Sequence, residues 1–438
     1  MLWQKDLPGA NLVVRGARVL DPVEGIDARL EVRIDDGTIA EVAEKVDTNE
    51  HRVVEADGLV LAPAFVDPHV HLRMPGREDE ETVASGTAAA AVGGYCAILA
   101  MPNTDPVVDS AATLGALVES ARRDAAVPTG FLAAITRGQR GEELTEMGEL
   151  AETGAVAFSD DGVPVTSAGL MRRALQYAST TDRPLALHCE EPTLSHGGHV
   201  HEGRVAAELG FAGYPSVAES VAVERDLALA GYERGRVHVL HLSAAESADA
   251  LRRARETGVA ASGEATPHHL VLTDDAVRSL DPNVKMNPPL RAEQDRLALL
   301  EALRDGTIEA VATDHAPHAV HEKDVPFEAA PFGVTGLETA FAALYTHLVK
   351  PGLLPLETLL ERMSAGPARI FGLDRPRVAT GARANLVLLD LGAEWTVGEQ
   401  PFRSRSANSW LLGSTVTGAV RMTLAGGAPV FAASKEFE

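Results

Sequence analysis

The chain has only two cysteines in 438 residues, Cys96 and Cys189. Two thiols cannot make a disulfide framework, so packing must hold the fold, and reduced thiols in a cytoplasmic protein are expected. Aromatic residues are scarce at 4%, which leaves the core to aliphatic and small side chains. Positive charge is outnumbered, with Lys+Arg at 39, Asp+Glu at 63 and a formal net charge of −24. No basic field exists to gather nucleic-acid phosphates or an anionic membrane surface. An anionic substrate would need a local cationic clamp. No run reaches the roughly 18 consecutive apolar residues of a membrane span. The opening "MLWQKDLPGANL" lacks the basic flank and apolar run of a signal peptide.

What is present is ordinary in amount and informative in order. Hydrophobic residues at 45% and charged residues at 23% suit a globular protein. "NLVVRGARVL", "ARLEVRIDDGTIAEVA" and "HRVVEADGLVLAP" alternate as short strands, with "DDG" as hairpin-turn chemistry. The tail is similar, in "ANLVLLDL", "WTVG" and "TVTGAVRMTLAGGAPVF". Residues 1–60 and 366–438 are therefore expected to form one small β-sandwich subdomain. Between them, apolar strands such as "AFVDPHVH", "YCAILAMPN", "PLALHCE" and "EAVATDHAPH" alternate with amphipathic helices. Eight such units predict an α/β fold, a (β/α)8 TIM barrel over residues 61–365.

The polar residues of these strands fall at their C-terminal ends, the catalytic face of such a barrel. If "FVDPHVHLRMPGRE" is a strand, Asp67, His69, His71 and Arg73 share one face. A lone His-x-His is weak as a metal signal. Here Asp161, His188, His241 and Asp314 recur at equivalent strand ends. Four imidazoles and two carboxylates suit Zn²⁺, and by ligand type Mn²⁺, Co²⁺ or Fe²⁺. Six ligands exceed one tetrahedral site and match two metals sharing a carboxylate and a hydroxide, with a carboxylate free to move a proton. Chemistry alone leaves Asp160 and Asp161 both open as the bridge.

The ordered set "FVDPHVHLRMPG", "MPNTDP", "FSDDG", "LHCEE", "GGHVHEG", "HLSAAES", "ATPHHLVLTD", "MNPPLR" and "ATDHAPH" resembles the class I bacterial dihydroorotases of the amidohydrolase superfamily, over nearly the whole chain. The resemblance implies a zinc-dependent interconversion of N-carbamoyl-L-aspartate and L-dihydroorotate in de novo pyrimidine biosynthesis. It implies His69, His71 and Asp314 on one metal, His188 and His241 on a second, and Asp161 between them. Asp314 would be the general base and then acid, working on a bridging hydroxide. Arg73, Asn103 and His318 would bind the substrate carboxylate beside His71. Asn287 and the backbone at Phe332 and Gly333 would hold the ring. A homodimer and possible association with aspartate transcarbamoylase are family-level expectations. Related hydantoinases and allantoinases bridge their metals with a carboxylated lysine on strand four. This chain has no lysine between Lys45 and Lys285, which argues against that alternative. The expected ligands are all kept, which argues against a non-catalytic transcarbamoylase partner.

Other polar residues carry plainer expectations. His238 should pack against a helix, and His268 and His269 should be structural or support the ligands from behind, as should Asp67. His196, His199 and His201 belong to a Gly-rich loop, with no metal assigned. Cys189 should be a buried structural thiol. "REDEE" at residues 77–81 is expected to be a solvated helix start. "HEKDVPFEAAPFG" is expected to be a lid or a surface loop.

Overall fold

The computed structural model describes residues 1–48 and 51–437. The architecture is mixed α/β. The N-terminal strand runs divide between two sheets. Leu12–Arg15, Glu31–Asp35, Thr38–Ala43 and Arg52–Glu55 form a four-stranded sheet. Arg18–Asp21, Ile26–Arg29 and Val60–Pro63 join a six-stranded sheet with Leu386–Thr396, Thr415–Ala425 and Ala428–Ala432. Alternation is visible in Glu31–Asp35, where Val32 and Ile34 are buried between half-buried polar neighbours. Gly16, at φ 85°, lies where the chain steps from one sheet to the other. Asp36 and Gly37, at φ 45° and 71°, make the hairpin turn that the Asp-Gly pair predicts.

The two chain ends meet by direct pairing. Leu386 lies opposite Pro63 and Leu389 opposite Val60 in an antiparallel register. Apolar residues of both sheets, among them Val32, Ile34, Leu61, Leu388 and Leu424, form one buried cluster. Val60–Pro63 crosses the boundary expected after residue 60, so the N-terminal sheet segment extends to Pro63.

The middle of the chain is a succession of parallel pairings. Phe65–Val70 pairs with Tyr95–Ala100, which pairs with Thr129–Phe131. Single parallel bridges join Ala133 to Phe158 and Phe158 to Leu185. Leu185–Leu187, Val237–Val239, Ala261–Ala265 and Ala310–Val311 then pair in order. A parallel bridge from His315 returns to Val70. The pairing thus comes back to the strand on which it began. The fourth segment, "AVAFSDD", is held by bridges alone rather than as a full strand.

Helices follow the strands, and local chemistry sets their starts. Thr82, Ser110 and Ser167 accept hydrogen bonds from the first-turn backbone of Val83–Val92, Ala111–Asp124 and Ala168–Ser179. Ala245–Glu256 has no such cap. Ser243, two residues before its start, gives its hydroxyl to Glu219. Among the described residues no helix is long and apolar enough to cross a membrane.

Candidate active site and metal centre

The strand ends converge on one buried cage. His69 Nε2 lies 3.7 Å from Asp161 Oδ2, and His71 Nε2 lies 3.5 Å from the same oxygen. His188 Nδ1 and His241 Nε2 lie 3.6 and 3.5 Å from Asp161 Oδ1. One carboxylate therefore shows one oxygen to each histidine pair. Asp314 Oδ1 closes the first pair at 3.3 Å from His69 and 3.0 Å from His71. Asp160, one residue away, points elsewhere. It accepts from the backbone of Ile135 at 2.8 Å and Thr136 at 3.1 Å, and from the Thr136 hydroxyl.

The backbone is bent to make this arrangement. His241 and Asp314 sit at φ 31° and 47°, a left-handed region that costs energy for non-glycine residues and clusters at functional sites. Arg73 is a third case, at φ 54°. It is not on the strand, which ends at Val70, so it reaches the site by a turn rather than by strand alternation.

Each of three imidazoles has an outer partner that turns its other nitrogen inward. His69 Nδ1 meets Glu264 Oε1 at 2.7 Å, His71 Nδ1 meets Asn103 Oδ1 at 2.9 Å, and His188 Nε2 meets Glu190 Oε2 at 2.9 Å. An oxygen that can only accept requires the facing nitrogen to carry the proton, which leaves the inner nitrogen free as a ligand. His69 Nε2 is buried with no hydrogen-bond partner.

Charge is balanced toward holding cations. Burial alone would strip the charge from His69, but Asp314, Asp161 and Glu264 outweigh it and lift its pKa well above the usual 6.5. His188 is raised to about 9 in the same way, burial being outweighed by Asp161 and Glu190. Burial would raise Asp161, yet His69, His188 and His241 hold it well below the ordinary carboxylate range. Asp314 is lowered likewise, burial being overcome by His69 and His71. A cage that binds protons this tightly in two places also suits divalent metal ions. Two groups of donors, His69–His71–Asp161 and Asp161–His188–His241, each lie within metal-binding reach.

Above the cage is a cavity of about 360 Å³. All the expected site residues line it except His69, which lies fully buried beneath. Arg73 Nε lies 3.2 Å from Glu80 Oε2 and donates to the Pro317 carbonyl at 3.1 Å. His318 Nε2 donates to the Phe332 carbonyl at 2.8 Å. Gly333 N–H donates to the Lys285 carbonyl at 2.9 Å. At φ 114°, a Cβ on Gly333 would fall 2.6 Å from Ala316 Cβ, so only glycine fits there. Asn103 gives its oxygen to His71 and its amide to Asp161 Oδ2 at 3.2 Å. Asn287 donates to Glu190 Oε2 at 3.2 Å.

Of the remaining polar residues, some keep their expected places and others do not. The acidic run is not solvated at its end. Glu80 and Glu81 are fully buried, paired with Arg73 and Arg77 and with His315, respectively. They precede the helix, which starts at Val83. His238 meets Glu264 Oε2 at 2.9 Å and the edge of Phe371, so it belongs to the polar support of the cage. Asp67 accepts from the His69 backbone at 3.2 Å and from Thr313. His268 and His269 are buried beside the site, with His269 tied to Thr266 and the Pro288 carbonyl. Cys189 is buried, and burial pushes its thiol pKa well up. The 321–333 segment is pinned, since Lys285 Nζ donates to the carbonyls of Phe327, Glu328 and Ala330. Lys323 Nζ donates to those of Pro282 and Pro331.

Glu264 and Glu190 were not among the residues expected at the site, and Glu80 was expected only within a solvated helix start. Two carried a signal. Glu264 is an acid inside a buried strand, and Glu190 follows His188 by two, on the same face.

The profile of the family described as "Dihydro-orotase-like" matches residues 58–247. A dihydroorotase of Anaeromyxobacter dehalogenans (strain 2CP-1 / ATCC BAA-258) is 47% identical over 419 residues, 95% of this chain and 96% of that protein. One of Syntrophus aciditrophicus (strain SB) is 43% identical, covering 96% and 99%. The chain belongs to the dihydroorotase family. It is an enzyme, a hydrolase of cyclic amides with dihydroorotase function in pyrimidine biosynthesis. Among solved structures, the L-hydantoinase (dihydropyrimidinase) from Arthrobacter aurescens superimposes with a TM-score of 0.88 at 26% identity, covering 98% of this chain and 97% of that one. The fold and the amidohydrolase type of the dihydroorotase family thus extend to a second group of cyclic amidases.

Proposed function

We propose that the cage holds two Zn²⁺ ions for the reversible cyclisation of N-carbamoyl-L-aspartate to L-dihydroorotate. His69, His71 and Asp314 hold the first ion, His188 and His241 the second, and Asp161 lies between them. The observation that carries this reading is Asp161, with one oxygen toward each histidine pair. When bound, such a pair acts as a Lewis acid on the amide carbonyl and makes water acidic enough to attack it. Asp314 moves the proton. Its ionised carboxylate, held so by His69 and His71, accepts a proton as water adds and returns it to the ring nitrogen as the amide bond breaks.

Arg73, Asn103 and His318 receive the substrate carboxylate, Arg73 by a planar fork. Asn287 orients the ring, and the Phe332 carbonyl keeps a second lone pair for it. Gly333 contributes through the close approach of its backbone.

The closed circuit of parallel pairs is proposed as a (β/α)8 barrel spanning the region between the sheets. The two facing sheets are proposed as a β-sandwich, built from the first 60 or so residues and those after 365. A cytoplasmic homodimer, able to associate with aspartate transcarbamoylase, completes the proposal. Light scattering with and without that enzyme tests it.

The activity test uses apoprotein reloaded with Zn²⁺ and a panel of dihydroorotate, hydantoin and allantoin. Loss of dihydroorotate absorbance, far faster than turnover of the other two, is expected. Preferred turnover of hydantoin would overturn the substrate assignment.

A further inference from the structure

Glu264 stands directly behind the cage, fully buried on the strand Ala261–Ala265. Its two oxygens reach three histidines. Oε1 accepts from His69 Nδ1 at 2.7 Å and from the His241 backbone N–H at 3.3 Å. Oε2 accepts from His238 Nε2 at 2.9 Å. His238 is held in turn by Ser262 Oγ at 2.9 Å on its Nδ1 and by the Phe371 ring, 5.2 Å away between centroids.

These contacts fall on both halves of the site. His69 belongs to the first donor group and His241 to the second. On the first, Glu264 selects the tautomer whose Nε2 faces the cage. On the second, it grips the backbone of a residue at φ 31°, a conformation that needs outside support. We infer that Glu264 is a positioning residue that couples the two metal half-sites, so that both form or weaken together. The inference rests on the binuclear reading proposed above. It deepens that reading by naming the group through which one half-site senses the other.

The contacts argue against a purely local role. A carboxylate that served His69 alone would leave the second half-site untouched when altered. Here the same oxygen that orients His69 also holds His241.

The test is Zn²⁺ binding to the full-length protein, by competition with a colorimetric chelator, with no turnover involved. The parent should bind two equivalents. Glu264→Gln should weaken both by roughly 10- to 100-fold, the range seen when a ligand's outer partner is altered. Circular dichroism of the metal-free protein checks that the variant folds. Glu264→Asp keeps the charge but is one methylene short of His69, and it serves as a second arm with the same expected joint weakening. Two equivalents bound as tightly as in the parent, or one equivalent weakened and the other unchanged, would overturn the coupling. A parent that binds fewer than two equivalents would overturn the binuclear reading itself, and the coupling with it.

Discussion

The cavity has two walls made of different material. One is the set of strand ends carrying His69, His71, Asp161, His188, His241 and Asp314. The other is built from the turn at Arg73–Glu81 and the segment Pro317–Gly333. On the first wall, His69 lies on its strand and the others lie just past strand ends or on a bridged segment, with left-handed backbone at His241 and Asp314. On the second, direction comes from buried charge. Arg73 is held by Glu80, His318 by the Phe332 carbonyl, and the Phe332 segment by the amino groups of Lys285 and Lys323. In the proposed function the first wall faces the reacting amide, and the second faces the substrate's distant carboxylate.

The sharpest way to break this comparison lies within the first wall, at two adjacent acids. Asp161→Asn should lower turnover by roughly 10³-fold or more, the order lost when a principal electrostatic group is removed. Asp160→Asn should leave turnover within a few-fold, while costing about 1–3 kcal/mol of stability as Ile135 and Thr136 lose a charged acceptor. Steady-state kinetics and urea unfolding of both variants separate the two effects. Equal losses of turnover would erase the distinction.

The second wall is tested at Glu80. Glu80→Gln should raise KM for dihydroorotate about tenfold with a smaller change in kcat, since a lost clamp removes binding shared by ground and transition states. A fall in kcat at unchanged KM would place Glu80 with the reacting groups instead. An effect on stability alone is expected at Lys323. Burial and the nearby Lys285 depress its pKa from 10.5 to about 7. Two carbonyl partners match the two N–H bonds of a neutral amine. The unfolded chain then binds the proton more readily than the folded one between these values. Stability from this group is therefore present above pH 10.5 and is lost as pH falls through 7. Compared with Lys323→Met, the parent should gain stability from pH 7 to pH 9.5, by no more than about 1.4 kcal/mol per pH unit. Urea unfolding at the two pH values measures it, and parallel curves for parent and variant would reject it.

The same contrast explains what the sequence made legible. Candidate metal donors could be grouped, because each follows an apolar run at a strand end. The choice between Asp160 and Asp161 could not be made that way. Their neighbours lie on other strands, and only tertiary contact separates Thr136 from His69. Glu80 and Glu81 look like surface acids in a charged run, and nothing local announces that Arg73 and His315 will bury with them. The N-terminal strands were visible, but their division between two sheets depends on partners more than 300 residues away, as at Leu386 and Pro63.

The central claim is that Asp161 joins two metal half-sites at the strand ends. Crystals of the Zn²⁺-loaded protein, measured with X-rays above and below the zinc absorption edge, test it directly. The account predicts two anomalous peaks about 3.5–4 Å apart, one nearer each oxygen of Asp161. A single peak, or a pair that Asp161 does not touch, would contradict it.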